Sequence, residues 1–245
     1  MYGIIWHSRT YITSVPPLKG IAAIVVVFCR VLRQPATGAN TAPRLASALI
    51  LLRCASTGSQ GVVLKAADEP AVNLAVKQLA AAGIPVVTLV TDLPHSERIG
   101  YVGMDDRTAG QTAAYLLSRW LAPQPQEVAV VIGSELFRGE EEREMGFRMW
   151  LRSRAAHLRV LDISGGYGVY ERTFERMIEA LKQHPNLKAV YSVDGGNRAI
   201  VDAFAALDRP LECLSATTWT RKTGSYWLRK ESPRSSITTC RSMLA

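Results

Sequence analysis

The chain lacks the motifs that several large classes of protein require. Its four cysteines have no CxxC or other metal-ligand spacing, which argues against a structural metal site and against a disulfide framework. It contains neither a GxGxxG that opens a helix nor a GxxxxGK followed by Ser or Thr, so nucleotide binding through such loops is not predicted. No Ser-His-Asp arrangement or clustered carboxylate pair stands out. We therefore expect a protein that is not an enzyme and that uses no cofactor and no metal.

Long hydrophobic runs are also missing. The apolar segment Ile21–Cys29 is too short to span a membrane. It follows Lys19, as the apolar part of a secretory signal would, but no small-x-small cleavage site follows closely. We predict a cytoplasmic protein that does not contact a membrane, with a secretory signal as the alternative.

Acidic residues are absent from residues 1–60, which carry six Lys or Arg. Residues 211–245 hold six more basic residues against two acidic ones, whereas 61–210 hold 17 basic and 19 acidic residues. The net charge of +8 therefore comes from the two ends. No helix-turn-helix pattern precedes Gly61, so the basic pI does not predict DNA binding by this chain.

The centre of the chain alternates between short apolar runs and segments with helical periodicity. The predicted strands are Gly61–Lys65, Ile84–Val90, Glu127–Ile132, Leu158–Ile163 and Leu187–Val193, and the predicted helices are Asp68–Ala82, Thr108–Leu121, Glu140–Arg154, Glu171–His184 and Asn197–Leu207. This alternation indicates an α/β fold with a parallel sheet covered by helices on both faces. Ligands bind beyond the carboxyl ends of such strands, which places the residues of interest just after Val90, Val102, Ile132 and Val193.

Four segments in order resemble a known family. Residues 83–94 resemble the last strand of the first lobe in sugar-binding sensor domains, and 101–110 resemble the crossover into the second lobe. Arg143-Glu144-Met145-Gly146-Phe147 is similar to the family's Arg-x-x-Gly-Phe helix start, and Asp194-Gly195-Gly196-Asn197 to its later strand-to-helix turn. The order and spacing resemble periplasmic sugar-binding proteins and, more closely, the effector domains of lac-repressor-type (LacI family) regulators.

The resemblance implies a type I periplasmic-binding-protein-like fold, in which two doubly wound lobes surround a ligand cleft. The lobes would be 1–102, of which 1–60 match poorly, and 103–212, followed by an off-pattern tail at 213–245. The implied function is a sugar- or polyol-sensing effector domain of a LacI-type transcriptional regulator without its DNA-binding headpiece. The alternative is the substrate-binding protein of a sugar ABC importer. The implied partners are a sugar-like ligand and a second copy that dimerises through the lobes, with DNA bound only by the headpiece that this chain lacks.

Asp105 and Arg143 are the first candidate ligand residues, because a carboxylate accepts hydrogen bonds from hydroxyls and a guanidinium donates to their oxygens. Asp105 follows a strand and opens a helix. The alternative is that Asp105 or Asp106 caps this helix. The alternative for Arg143 is an ion pair with a glutamate of its own helix.

Four further residues are candidates by position. Arg138 lies in the loop before the Arg143 helix and is a second candidate for the basic ligand residue. Asp194 and Asn197 follow a strand, where turn formation explains them equally well. Phe137 is the candidate aromatic to stack on a sugar face, with core packing as the alternative.

Both ends of the chain depart from the family. In the first lobe, residues 2–6 and 22–29 are candidate strands and 44–52 a candidate helix. After Cys213 the expected His-Asp-Leu turn, helix and returning strand are missing, but a shifted reading frame with permitted codons restores them. We therefore hypothesise that a frame change near Cys213 replaced the native end of the domain, which leaves the first lobe incomplete. A divergent but genuine tail is the alternative.

Overall fold

The computed structural model describes residues 48–49, 51–54, 56, 58–133 and 137–216, and the backbone alone of 5–7, 10–15 and 24–29. The tail from 217 onward, on which the frame-change hypothesis rests, lies outside the described residues. The chain divides into two compact units between Met104 and Asp105, and the first unit includes residues 136–139.

The described residues of the first unit form one sheet and one long helix. Its strands are β1 (Ile5–His7), β2 (Thr10–Val15), β3 (Ile24–Cys29), β4 (Gly61–Lys65), β5 (Val86–Leu89) and β6 (Gly100–Val102), and helix α1 is Pro70–Ala81. The strands lie in chain order, and β3 to β6 are parallel. Residues 51–54, within the predicted 44–52 helix and just past it, are helical, and Leu51 packs with Leu64 and Leu79 in the core.

The beginning of this sheet differs from the predicted parallel pattern, because β1 and β2, and β2 and β3, pair antiparallel. The connection 16–23 between β2 and β3 explains the difference. A crossover to a parallel strand needs about a dozen residues or more, whereas an antiparallel neighbour can be reached by a shorter link.

The second unit is a parallel sheet with helices. Its elements are α2 (Asp106–Trp120), β7 (Gln126–Val131), α3 (Arg138–Arg154, whose first two residues belong to the first unit), β8 (Leu158–Ile163), α4 (Tyr170–Gln183), β9 (Leu187–Ser192), α5 (Asn197–Ala206) and β10 (Cys213–Ala216). The sheet order is β10-β9-β7-β8. The predicted α/β fold with parallel sheets is therefore confirmed. Strand β10 lies in the range that we had assigned to the off-pattern tail, and the buried Cys213 explains its place in the sheet.

Alternate residues of strand β7 pack into two separate hydrophobic cores. Val128 and Val130 of β7 belong to one buried cluster, whereas Ala129 and Val131 belong to the other. Side chains of a strand alternate between the faces of its sheet, so both faces are buried. This explains why β7 reads as a continuous apolar run, as expected for a parallel strand covered by helices.

Helices α2 and α3 touch through two glycines. A Cβ added at Gly110 would lie 2.0 Å from the carbonyl oxygen of Arg143, and one added at Gly146 would lie 2.1 Å from that of Arg107. Main-chain atoms cannot rotate away as side-chain atoms do. Both glycines are therefore required for this close approach of the two helices.

Arg209 ties the end of α4 to the strand that follows. Its guanidinium donates to the carbonyl oxygens of Leu181 at 2.7 Å, Pro185 at 2.6 Å and Leu187 at 2.8 Å. The last carbonyls of a helix have no partner within the helix. Arg209 satisfies one of them and places its positive charge near the negative end of the helix dipole.

Candidate functional site

Loops that follow three adjacent strands of the second unit meet at the carboxylate of Asp194. A Cβ added at Gly133, after β7, would lie 2.1 Å from Asp194 Oδ2, and one added at Gly168, after β8, would lie 2.9 Å from it. Asp194 itself follows β9. Because only glycine leaves room at Gly133 and Gly168, backbone surrounds this carboxylate on two sides. The predicted residue Asp194 thus lies at the carboxyl edge of the sheet, where ligands of such folds bind.

The loop after β8 adds an aromatic side chain to this edge. Tyr167 has a φ of 50° and Gly168 a φ of 62°, and the amide of Tyr167 donates to the carbonyl of Gly133 at 3.3 Å. The guanidinium of Arg172 lies 5.7 Å from the centroid of the Tyr167 ring. A bulky residue with positive φ is uncommon and often marks a functional loop. From the sequence we predicted Phe137 as the aromatic candidate and did not identify Tyr167, although the glycines on both sides of Tyr167 were a signal.

Glu140 and Asn197 complete the surroundings of this loop cluster. Glu140, in the first turn of α3, accepts a hydrogen bond from the amide of Gly133 at 2.9 Å. Asn197 begins α5 and is buried, after Gly196 with a φ of 75°. The buried Thr173 lies under the same loops, since its Oγ1 would be 2.8 Å from a Cβ at Gly196. Asp194 and Asn197 are therefore held in one compact region.

Asp105 acts as the N-cap of α2. Its carboxylate accepts from the amide of Thr108 at 2.9 Å and from the hydroxyl of Thr108 at 2.6 Å. These two hydrogen bonds lower the pKa of Asp105. The capping alternative is thus observed in the structure, and ligand binding by Asp105 stays a prediction.

Arg143 has a partner that we did not consider in the sequence. Its Nη2 lies 2.7 Å from Oδ1 of Asp106 on α2, and both side chains are largely buried. The buried ring of Tyr191 lies beside this ion pair and stacks on Phe147 with centroids 4.7 Å apart. Burial raises the pKa of Tyr191.

The family-like sequence patterns of the second unit therefore have a structural explanation. In Arg-x-x-Gly-Phe, Arg143 pairs with α2, Gly146 allows the helices to touch and Phe147 fills the core. In the 105–110 segment, Asp105 caps the helix and Gly110 is the second contact glycine. These residues hold α2 against α3. The Asp194 region, by which we mean Asp194 with Gly133, Gly168 and Asn197, lies instead at the carboxyl edge of the sheet.

Phe137 and Arg138 belong to the first unit and are both half-buried. The next residue, Gly139, donates its amide proton to Oγ1 of the buried Thr91 at 3.3 Å. Thr91 follows β5, so this segment lies at the carboxyl edge of the first sheet. A ligand role for Phe137 or Arg138 stays a prediction.

The carboxylate at the same edge of the first sheet is already engaged. Asp92 accepts hydrogen bonds from Thr88 Oγ1 at 2.9 Å and from the amide of Leu93 at 2.8 Å, and it forms a two-point ion pair with Arg98. Hydrogen bonding by Arg98 lowers the pKa of Asp92. Nearby, Val90 has a φ of 70°, which is strained for a β-branched residue. Asp92 thus stabilises its own loop.

The described part of the chain has neither a membrane-spanning helix nor a cluster of metal ligands. None of its helices combines the length and hydrophobicity needed to cross a bilayer. Within the same residues, no three His, Cys, Asp or Glu side chains come together as metal ligands would. The Asp194 region offers a carboxylate that can accept hydrogen bonds, and the loop that borders it at Gly168 also carries the aromatic Tyr167.

Comparison with known families identifies the fold. Residues 50–218 match the model of the periplasmic binding protein domain. The chain belongs to this family. Comparison with curated proteins finds no match by sequence.

Solved structures resemble this periplasmic binding protein domain over most of its length. GanP, a glucose-galactose binding protein from Geobacillus stearothermophilus, is 22% identical with a TM-score of 0.68, and the match covers 75% of this chain and 65% of GanP. An ABC transporter solute binding protein from Burkholderia graminis, solved with D-arabinose, is 24% identical with a TM-score of 0.68, and the match covers 74% of this chain and 64% of that one. The chain therefore spans less than two thirds of either relative, and at these identities the likeness shows a shared fold.

Proposed function

We propose that this periplasmic binding protein domain binds a monosaccharide or a related polyol through the Asp194 region. The observation that carries the proposal is the convergence of three strand-to-helix loops on the Asp194 carboxylate, with glycines at the two closest positions. A carboxylate can accept hydrogen bonds from two neighbouring hydroxyls of a sugar. The glycines let backbone groups approach the same ligand.

Tyr167 suits the apolar C–H groups of a sugar ring. The face of a sugar ring carries C–H groups, and an aromatic ring packs against such an apolar surface while its hydroxyl remains available for hydrogen bonds. Tyr167 directly precedes Gly168, whose backbone borders the Asp194 carboxylate. The loop that borders the acceptor for hydroxyls thus also carries a surface for C–H groups.

The biological role that we propose is substrate capture for a sugar importer, which was the alternative interpretation of the sequence. Support comes from the comparisons: one relative is described as an ABC transporter solute binding protein and another as a glucose-galactose binding protein. The role that we predicted first, the effector domain of a LacI-type regulator, rests on the sequence resemblance alone. Fractionation of the native cells distinguishes the two roles: an importer component is recovered outside the cytoplasmic membrane, and a regulator in the cytoplasm.

Calorimetric titration of the purified full chain with a panel of pentoses, hexoses and polyols tests the binding proposal. Asp194→Asn should weaken binding of any sugar hit by about 10- to 100-fold, because hydrogen bonds to a charged acceptor contribute about 1.5–3 kcal/mol. The matched control is Asp162→Asn, which changes an exposed carboxylate of β8 in the same unit and should leave the affinity unchanged.

Two results would contradict the proposal. One is the absence of a heat signal across the whole panel with a protein whose circular dichroism and melting are those of a folded chain. The other is a sugar that binds equally well to the wild type and to Asp194→Asn. The second result would preserve sugar binding and move it away from Asp194.

A further inference from the structure

Thr173 is a buried side chain that contacts two of the loops that meet at Asp194. It lies near the start of α4 and is 1% exposed. A Cβ added at Gly166, in the loop after β8, would lie 2.6 Å from Thr173 Oγ1. A Cβ added at Gly196, in the turn after β9, would lie 2.8 Å from the same oxygen. The backbones of both loops therefore pack against one side chain.

The side chain of Thr173 has little freedom to move away from these loops. Rotation about χ1 is restricted in β-branched residues. The second branch, Cγ2, would lie 3.0 Å from a Cβ at Gly196, so both branches lie against the loops. The rest of this side of α4 is anchored in the core by the buried Met177 and Leu181. Thr173 is therefore a spacer of fixed position between the two loop backbones.

A short closed turn couples Gly166 to the Asp194 carboxylate. The carbonyl of Gly166 accepts a hydrogen bond from the amide of Val169 at 2.9 Å. Gly168 lies within this turn, and a Cβ there would be 2.9 Å from Asp194 Oδ2. A shift of Gly166 relative to Thr173 therefore also moves the backbone that borders the carboxylate.

The turn after β9 couples Gly196 to Asp194 in the same way. Ser192 Oγ donates to the carbonyl of Gly195 at 3.2 Å, which closes the turn around Asp194. The carbonyl of Gly196 accepts from the amide of Ile200 at 3.1 Å and so joins the turn to α5. Gly196 is thus held between Thr173 and α5, and its position determines that of Asp194 two residues earlier.

We propose that Thr173 is a positioning residue for ligand binding, which holds the Asp194 carboxylate and the Gly168 backbone in place without touching the ligand. Binding groups must be held within about 0.5 Å of the productive geometry, which requires support from the residues behind them. Because Asp194 is the ligand residue of the proposed function, this role of Thr173 rests on that proposal.

Calorimetric titration of the full chain with D-glucose, D-galactose and D-arabinose tests the role. Thr173→Ala should weaken the tightest of these interactions several-fold, because the loops can move into the space left by Oγ1 and Cγ2. Thr173→Ser keeps the oxygen nearest to both glycines and should bind almost as the wild type does. The control is Leu181→Val, which alters a buried side chain at the other end of α4. It should lower the melting temperature but leave the affinity unchanged.

A second alanine tests the spacing between Gly166 and Thr173 directly. The φ of Gly166 is not positive, so alanine can adopt its backbone conformation. Gly166→Ala alone should weaken binding several-fold, because its Cβ would collide with Thr173 Oγ1. Together with Thr173→Ala that oxygen is absent, and the two Cβ atoms would lie 3.5 Å apart, an ordinary contact. The double variant should therefore bind more tightly than either single variant, a non-additivity expected of residues in contact.

Hydrogen exchange without sugar separates this role from the proposed function. Amides of residues 165–169 and 194–197 should exchange faster in Thr173→Ala than in the wild type, and unchanged exchange overturns the spacer. If Asp194→Asn weakens sugar binding and Thr173→Ala does not, or if the double variant binds no better than the single variants, the positioning role is wrong while the proposed function stands. Faster exchange in a chain whose wild type binds none of the sugars supports the spacer and counts against the proposed function alone.

Discussion

Replacement of Gly110 by alanine tests the close contact between α2 and α3. In the interior of an isolated helix this change stabilises by about 1 kcal/mol, because glycine is a poor helix former. Here the new Cβ would lie 2.0 Å from the carbonyl oxygen of Arg143 and 2.9 Å from the amide nitrogen of Phe147. These are main-chain atoms, so the two helices must separate.

The expected net effect has the opposite sign to the helix propensity. Overpacking of a well-packed contact costs about 1–3 kcal/mol. Separation of the helices also disturbs the buried pair of Asp106 and Arg143, and complete loss of one partner from a buried pair costs about 3–5 kcal/mol. The overpacking cost less the propensity gain leaves about 0–2 kcal/mol, and partial disturbance of the buried pair adds about 2 kcal/mol, so we expect Gly110→Ala to lower the free energy of unfolding by about 2–4 kcal/mol.

Urea unfolding followed by circular dichroism measures this change. Thr112→Ala is the control, because it introduces the same residue at an exposed position of the same helix and should change the free energy of unfolding by less than about 0.5 kcal/mol. A Gly110→Ala variant as stable as the wild type, or more stable, would refute the close contact of the two helices.

Three other changes probe single interactions. Tyr191→Phe should leave stability unchanged or raise it by about 1 kcal/mol in urea unfolding, since the buried hydroxyl has no hydrogen-bond partner among the described residues. Arg209→Met should lower the free energy of unfolding by about 2–3 kcal/mol through the loss of hydrogen bonds to carbonyls at the end of α4, and Arg209→Lys should restore only part of it. The lowered pKa of Asp92 contributes stability that is complete above its ordinary value of 3.8 and is lost as the pH falls through the lower folded-state pKa. The stability difference between wild type and Asp92→Asn should therefore shrink on acidification below that value, and a difference independent of pH would contradict the Arg98 pairing.

The periodic pattern of the centre was sufficient to predict its helices and strands. The strands Gly61–Lys65 and Leu158–Ile163 have the predicted bounds. Helix α2 begins before the predicted Thr108 because Asp105 caps it, a feature that periodicity does not report. The antiparallel start of the first sheet was not predicted, because apolar strands look alike in sequence whichever way they pair.

The candidate site was harder to predict, because the residues that carry the family-like patterns are only partly the residues that lie at the edge of the sheet. We predicted Arg143 and Asp105 as ligand residues because they belong to helix-start patterns. Helix packing and capping also favour arginine and aspartate at such positions. Asp106 becomes the partner of Arg143 only when α2 packs against α3, and Thr108 becomes the partner of Asp105 only when the first turn of α2 forms. Asp194 was predicted because it follows a strand, but its proximity to Gly133 is a long-range contact that no local pattern carries.

The glycine contact between α2 and α3 also restricts how the second unit can move. Packed helices commonly slide past each other in small shear steps. A slide of one turn along α3 would bring a residue with a side chain to the place of Gly110 or Gly146, and the backbones would collide. The two helices therefore act as a steric stop against shear, and any conformational change of this protein must move them together as one rigid body.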